Sequence, residues 1–160
     1  VEMKTSQFIN TGTKWVFDPT VTFTMTSADY KLIVDAVKAD PSKKAYVDPY
    51  GTAEYYYGAS SYYNEFNAQI SKRTDPAFQG LSTAAANALI QQRIHEGIIV
   101  LLKLKFPNAV TQVSGINVMY VVTYAIYEND GSTAHVTSTF QCTKSAPDPD
   151  FTYVNPPIGK

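Results

Sequence analysis

The sequence predicts an α+β domain in which an antiparallel β-sheet, a meander ending in a C-terminal hairpin, carries two main helices packed on one face. Three observations lead there. Residues near both ends alternate apolar and polar with the period of a strand, two internal stretches carry apolar residues at helical spacing, and the strand–helix alternation that parallel crossovers require is missing. The 160 residues suit a single domain over 1–160, with roughly 68–70% of the unfolded chain's surface buried on folding.

In chain order, residues 6–26 read as an N-terminal β-meander. Phe8 and Ile9 precede a turn at Asn10-Thr11-Gly12, Trp15 and Phe17 follow, Asp18-Pro19 breaks the chain, and Val21, Phe23 and Met25 then alternate with Thr20, Thr22 and Thr24. The segment over 1–26 is also where a preceding domain would adjoin. Thr26 and Asp29 form a relaxed capping box, and Tyr30, Ile33, Val34 and Val37 continue at helical spacing, so a helix is expected from about Ser27 to Ala39. It should stop before Asp40-Pro41, because the residue ahead of a proline is pushed out of the helical region. Residues 40–80 show neither period and hold seven of the twelve tyrosines. A long helix is expected from about Thr83 to Lys105, opened by Ser82 and closed by Phe106-Pro107. Gly97 inside it predicts the close approach of another backbone, since glycine there costs about 1 kcal/mol against alanine.

After Asn108 the chain returns to strand. Val118, Tyr120, Val122, Tyr124 and Ile126 share one face, and Ala134, Val136, Phe140 and Cys142 alternate with threonines beyond Asn129-Asp130-Gly131. A two-residue turn at Asp130-Gly131 would mix the two faces. A three-residue loop with Gly131 left-handed sets Tyr120 opposite Phe140, Val122 opposite Ser138 and Tyr124 opposite Val136, and that register is the one expected. A last strand, Phe151–Val154, follows the Pro147/Pro149 corner and ends at Pro156-Pro157.

Composition excludes several classes of partner. With 13 Lys+Arg against 14 Asp+Glu there is no electrostatic footprint for nucleic acid or anionic lipid. A single cysteine precludes an internal disulfide or a cysteine zinc cage, and no apolar run approaches the ~20 residues of a membrane span. No glycine-rich phosphate loop, nucleophile elbow or dinucleotide fingerprint occurs, so no cofactor is expected. His95-Glu96 lacks the second histidine of a helical zinc site, and His95 reads as a histidine at the core edge. His135 and Cys142 have opposite strand parity and cannot meet; Cys142 reads as a small buried hydrophobe. Asp148-Pro149-Asp150 reads as a turn, and no metal site is expected.

The anomalous feature is EYYYGASSYYNEFN, residues 54–67, which places five tyrosines within nine residues. Tyrosine offers a flat apolar face and a hydrogen-bonding tip at low entropic cost, which suits stacking on sugar rings or docking a protein. The candidate binding set is Tyr55, Tyr56, Tyr57, Tyr62, Tyr63, Asn64 and Phe66, with Ser60, Ser61 and Asn67 as further polar contacts. The same tyrosines could instead pack the sheet against the long helix. No catalytic residue is assigned; the alternative of a polysaccharide or peptidoglycan hydrolase would need a carboxylate such as Glu54, Glu65 or Asp150 in a tyrosine-lined cleft.

The order FTMTSADYKLIVDAV (23–37), EYYYGASSYYNEFN (54–67), long helix and terminal hairpin resembles a group of secreted lipoproteins from gut Bacteroidetes whose domains have no assigned function. Phe8, Gly12, Trp15 and Asp18-Pro19 fit the same group's opening hairpin. The resemblance implies an export signal and a lipid-bearing cysteine upstream of Val1, a periplasmic or cell-surface location, and a link to glycan capture. It implies no catalytic residues. The expectation is therefore a non-catalytic envelope domain that binds glycan or a surface protein through its tyrosines, or a purely structural module of a longer lipoprotein.

Overall fold

The computed structural model describes residues 8–10 and 15–154. The turn expected at 11–12 and the Pro156-Pro157 stop lie outside them. The strands are β1 (Phe8–Asn10), β2 (Trp15–Phe17), β3 (Val21–Thr24), β4 (Ala59–Ser60), β5 (Glu65–Asn67), β6 (Gln112–Val113), β7 (Ile116–Asn117), β8 (Met119–Tyr127), β9 (Thr133–Lys144) and β10 (Asp150–Val154). The helices are α1 (Ser27–Ala39) and α2 (Thr83–Lys105). The class is α+β, with two α-helices and a mostly antiparallel sheet among the described residues.

The six-stranded sheet runs β10-β9-β8-β5-β4, with β3 also on β8. Its spine is the β8–β9 hairpin, in which Tyr120 faces Phe140, Val122 faces Ser138 and Tyr124 faces Val136, as the alternation predicts. Gly131 has φ +84°, and the Gly131 N–H donates to the Glu128 carbonyl at 3.1 Å, which makes the three-residue loop.

Two expectations about the sheet are corrected. The N-terminal meander ends at β2: β1 and β2 pair antiparallel with each other, whereas β3 leaves them and pairs parallel with β8, Phe23 beside Val122. β5 also pairs parallel with β8, Phe66 beside Ile126, so the sheet is not wholly antiparallel. α1 follows β3 and carries the chain away from that strand, so the next segment reaches β8 running the same way, which a hairpin turn could not achieve.

β3 and β5 therefore share one edge of β8 end to end. At the gap between them the Ala125 N–H has no strand to meet, and it donates to the Tyr30 hydroxyl of α1 at 3.1 Å. Buried backbone donors need a partner, and a tyrosine one turn into the helix supplies it. Burial pushes the Tyr30 hydroxyl pKa up to about 12, so it stays protonated.

One face of β8 supplies the core through Tyr120, Val122, Tyr124 and Ile126, while Val121, Thr123, Ala125 and Tyr127 between them stay half-buried. α1 adds Ile33, Val34 and Val37, and α2 adds Ile90, Ile94, Ile98, Leu101 and Leu102. Each such aliphatic side chain contributes roughly 1.5–3 kcal/mol. α1 starts where the Thr26 N–H donates to Asp29 Oδ2 at 2.9 Å; α2 starts where the Ala85 N–H donates to Ser82 Oγ at 3.1 Å. His95 is half-buried on α2 and stacks on Tyr153 with centroids 3.7 Å apart, and burial lowers its pKa. Cys142 is buried and His135 exposed, on opposite faces of β9.

Gly97 does mark a close approach, but to a side chain rather than a backbone. A Cβ there would lie 2.9 Å from Tyr57 Cβ and 3.1 Å from Tyr57 Cγ. The tyrosine-rich segment thus seats on α2 through the stem of Tyr57.

Candidate functional site

The tyrosine segment is organised from within by Glu54, which is fully buried. Its Oε1 accepts the N–H groups of Tyr56 and Tyr57, each at 2.8 Å, and its Oε2 accepts those of Gly58 at 3.0 Å and Ala59 at 2.7 Å. One carboxylate thereby satisfies four successive backbone donors that no ladder or helix covers. Complete burial pushes the Glu54 carboxyl up, and the N–H donors and the charge of Arg73 oppose that rise.

Two arginines hold the same segment from below. Arg73 Nη2 donates to the Tyr57 carbonyl at 3.1 Å, and burial lowers its pKa to about 10. Gly58 has φ +111°, and a Cβ there would stand 2.7 Å from both Arg73 Nη2 and the Asn67 carbonyl, so only glycine fits between them. Arg93 on α2 pairs with the buried Asp75 and lies 3.9 Å from the centroid of the Tyr56 ring. Burial works to raise the Asp75 carboxyl; the bonds from Arg93 and the Ala77 N–H outweigh it and hold the group below the ordinary range.

Outside this scaffold lies a cleft of about 430 Å³, well within the size of small-molecule sites. Strand alternation explains its floor. Ala59 and Phe66 point into the core, so their neighbours Ser60 and Glu65 point to the opposite face and pair with each other across β4 and β5. The next row on that face is Asn67, Tyr127 and Thr133, registered across β5, β8 and β9. Tyr55, Tyr63 and Lys72 form the walls. The Lys72 ammonium stands over the Tyr55 ring, 5.9 Å from its centroid.

The structure divides the candidate set. Tyr55 and Tyr63 line the cleft. Tyr62 is 72% exposed on the turn beside it and meets Tyr63 edge to face, with centroids 4.8 Å apart. Asn64 sits on the same turn at φ +57°. Tyr56 is half-buried against Arg93. Tyr57 and Phe66 are corrected: both are core residues, Tyr57 against Gly97 and Phe66 edge to face with Tyr30 and Tyr124. Phe66 lies on the inward parity of β5, which removes it from any surface. Lys72, Tyr127 and Thr133 were not anticipated. For Tyr127 the signal was available, since it has the opposite parity to Tyr124 and Ile126.

The carboxylates of the hydrolase alternative do not converge. Glu54 is sealed beneath the segment, and Asp150 lies on β10 at the other edge of the sheet, where its Oδ1 accepts the Phe151 N–H. Glu65 alone lines the cleft, and burial raises its carboxyl pKa. Among the described residues no group of three or more His, Cys, Asp or Glu could hold a metal ion, and no helix is long and apolar enough to cross a membrane.

Comparison with protein-family models, with curated proteins and with solved structures returns no match for this chain.

Proposed function

We propose that this domain is a non-catalytic glycan-binding module of a bacterial envelope lipoprotein, and that the cleft between Tyr55, Tyr63 and Tyr127 is its binding site. In this reading both helices lie on the core side of the sheet and leave the opposite face open for ligand. The observation that carries it is the pairing of aromatic and polar surface in one cleft: Tyr55 and Tyr63 line it together with Ser60, Glu65 and Asn67. A sugar ring presents an apolar C–H face and an equatorial rim of hydroxyls, and it needs both kinds of surface at once. The network of Glu54, Arg73 and Gly58 supports the reading by fixing the backbone that carries Tyr55. A lipid-bearing cysteine preceding Val1 would put the site at the cell surface or in the periplasm.

Thermal unfolding against a panel of neutral, amino and acidic oligosaccharides tests it. Ligand at 100 times its dissociation constant adds about 2.7 kcal/mol, and at roughly 2–4 °C per kcal/mol this raises the midpoint by about 5–10 °C. Loss of that shift in folded Tyr55→Ala and Tyr63→Ala variants is the expected result. The proposal fails if no saccharide shifts the midpoint, or if the shift survives in both variants. A protein partner is the second reading, favoured by Tyr50 and Tyr62, which are 85% and 72% exposed on turns outside the cleft. Binding to protein that Tyr62→Ala abolishes and Tyr55→Ala leaves intact would select it.

A further inference from the structure

We infer, resting on the glycan reading, that the cleft selects a sugar bearing a free amino group, whose ammonium is received by the Glu65 carboxylate and the faces of the surrounding tyrosines. Glu65 is half-buried and points into the cleft from β5, and its carboxylate has no hydrogen-bond or ion-pair partner among the described residues. Every other carboxylate of the segment is engaged. Glu54 holds four N–H groups, Asp75 holds Arg93, and Asp48 accepts the N–H groups of Thr52 and Ala53. A partly desolvated carboxylate without a partner is a costly group for a fold to keep, and the ligand that relieves the cost best is a cation.

The second observation is that the cleft already holds a cation against an aromatic face. Lys72 directs its ammonium at the Tyr55 ring, not into an ion pair with Glu65. Ring faces attract ammonium groups, and aromatic walls closed by one carboxylate are a recurring receptor for them. Tyr55, Tyr63 and Tyr127 line the same cleft as Glu65 and supply the parts of such a receptor. Lys72 is exposed on a flexible stem, so an incoming ammonium can displace it from the ring without disturbing the backbone. An acidic sugar would instead bring a second negative charge beside Glu65. The sugar body is required as well, because the floor beyond Glu65 is hydroxyl and amide, from Ser60, Asn67 and Thr133.

Isothermal titration with four trisaccharides tests the assignment: glucosamine, N-acetylglucosamine, glucose and galacturonic acid, with N-acetyl-lysine amide as an ammonium without a sugar. The glucosamine trimer is expected to bind at least ~10-fold more tightly than the acetylated and neutral trimers, with the acidic trimer weakest. Glu65→Gln keeps the side chain's shape and is expected to bring the ratio of amine to acetylated trimer close to one. Lys72→Gln removes a like charge and is expected to tighten the amine trimer several-fold. Circular dichroism and the unfolding midpoint establish that each variant is folded. If saccharides bind but the neutral or acidic trimer matches the amine trimer, the amino assignment is overturned and the glycan reading stands. If no saccharide binds, both fall. If the lysine amide binds as tightly as the amine trimer, the site reads charge alone and the sugar assignment is overturned.

Discussion

Replacing Glu54 by glutamine tests whether one buried carboxylate organises the tyrosine segment. Glutamine has the same length and shape but only one acceptor atom, so two of the four N–H groups it now faces lose their partner and meet an NH₂ donor instead. A buried donor left without an acceptor costs about 1–3 kcal/mol, and two of them about 2–6 kcal/mol. Removal of the charge also takes from the buried Arg73 one of the two carboxylates, Glu54 and Asp75, whose negative charge favours its ionised form, which adds to the loss. The terms overlap, and about 3–5 kcal/mol is the expected net loss. With a urea slope of about 2 kcal/mol/M the unfolding midpoint should fall by roughly 1.5–2.5 M. Amide hydrogen exchange localises the effect: the N–H groups of Tyr56, Tyr57, Gly58 and Ala59 should exchange faster than those of α2. A midpoint within about 0.5 M of the parent, or unchanged exchange at those four amides, would refute the reasoning.

Gly97→Ala places a methyl 2.9 Å from Tyr57 Cβ, and overpacking at that contact should lower stability by about 1–3 kcal/mol, read by urea unfolding. Tyr30→Phe removes the acceptor of the Ala125 N–H; a loss of about 1–3 kcal/mol, with faster exchange at Ala125, is expected. The Asp75 carboxyl is held below its unfolded value, so its contribution is fully present above the unfolded pKa and is lost as pH falls through the folded one. Asp75→Asn should therefore flatten the acid limb of stability against pH while lowering stability at neutral pH. Tyr62→Ala, at an exposed side chain, should change stability by less than about 0.5 kcal/mol.

Much of the frame was legible because its signals are local. Thr26 and Asp29, and Ser82 before three alanines, announce the helix starts, and Asp40-Pro41 and Phe106-Pro107 announce the stops. The β8–β9 register followed from strand parity and the loop glycine alone. The parallel placement of β3 and β5 was not legible, because Phe23 and Phe66 find their partners on β8 with α2 and other elements lying between them in the chain, and no local pattern encodes which distant strand accepts them. The candidate site was half legible. A run of tyrosines gives no parity until the turn through Ser61–Asn64 is known, and that turn sends Phe66 inward while Tyr63 stays on the cleft. Glu54 read as a candidate cleft carboxylate, and its burial was not legible because nothing in its neighbours shows that the chain folds back over it. Lys72 comes to the cleft from a short turn whose own pattern concerns other contacts, whereas the parity of Tyr127 on β8 did mark it as facing away from the core.

The carboxylate of Glu54 has a consequence for how this surface can change. Four amides are tied to one side chain that faces inward, and the outward groups Tyr55, Tyr62, Tyr63, Asn64 and Lys72 take no part in that knot. Backbone shape and displayed chemistry are thus set by different residues. The segment behaves as an exchangeable cassette: randomising Tyr55, Tyr62, Tyr63 and Lys72 while keeping Glu54, Gly58 and Arg73, and Asn64 at its left-handed turn position, should yield a library of folded domains with altered ligands, in which specificity is rewritten without renegotiating the fold.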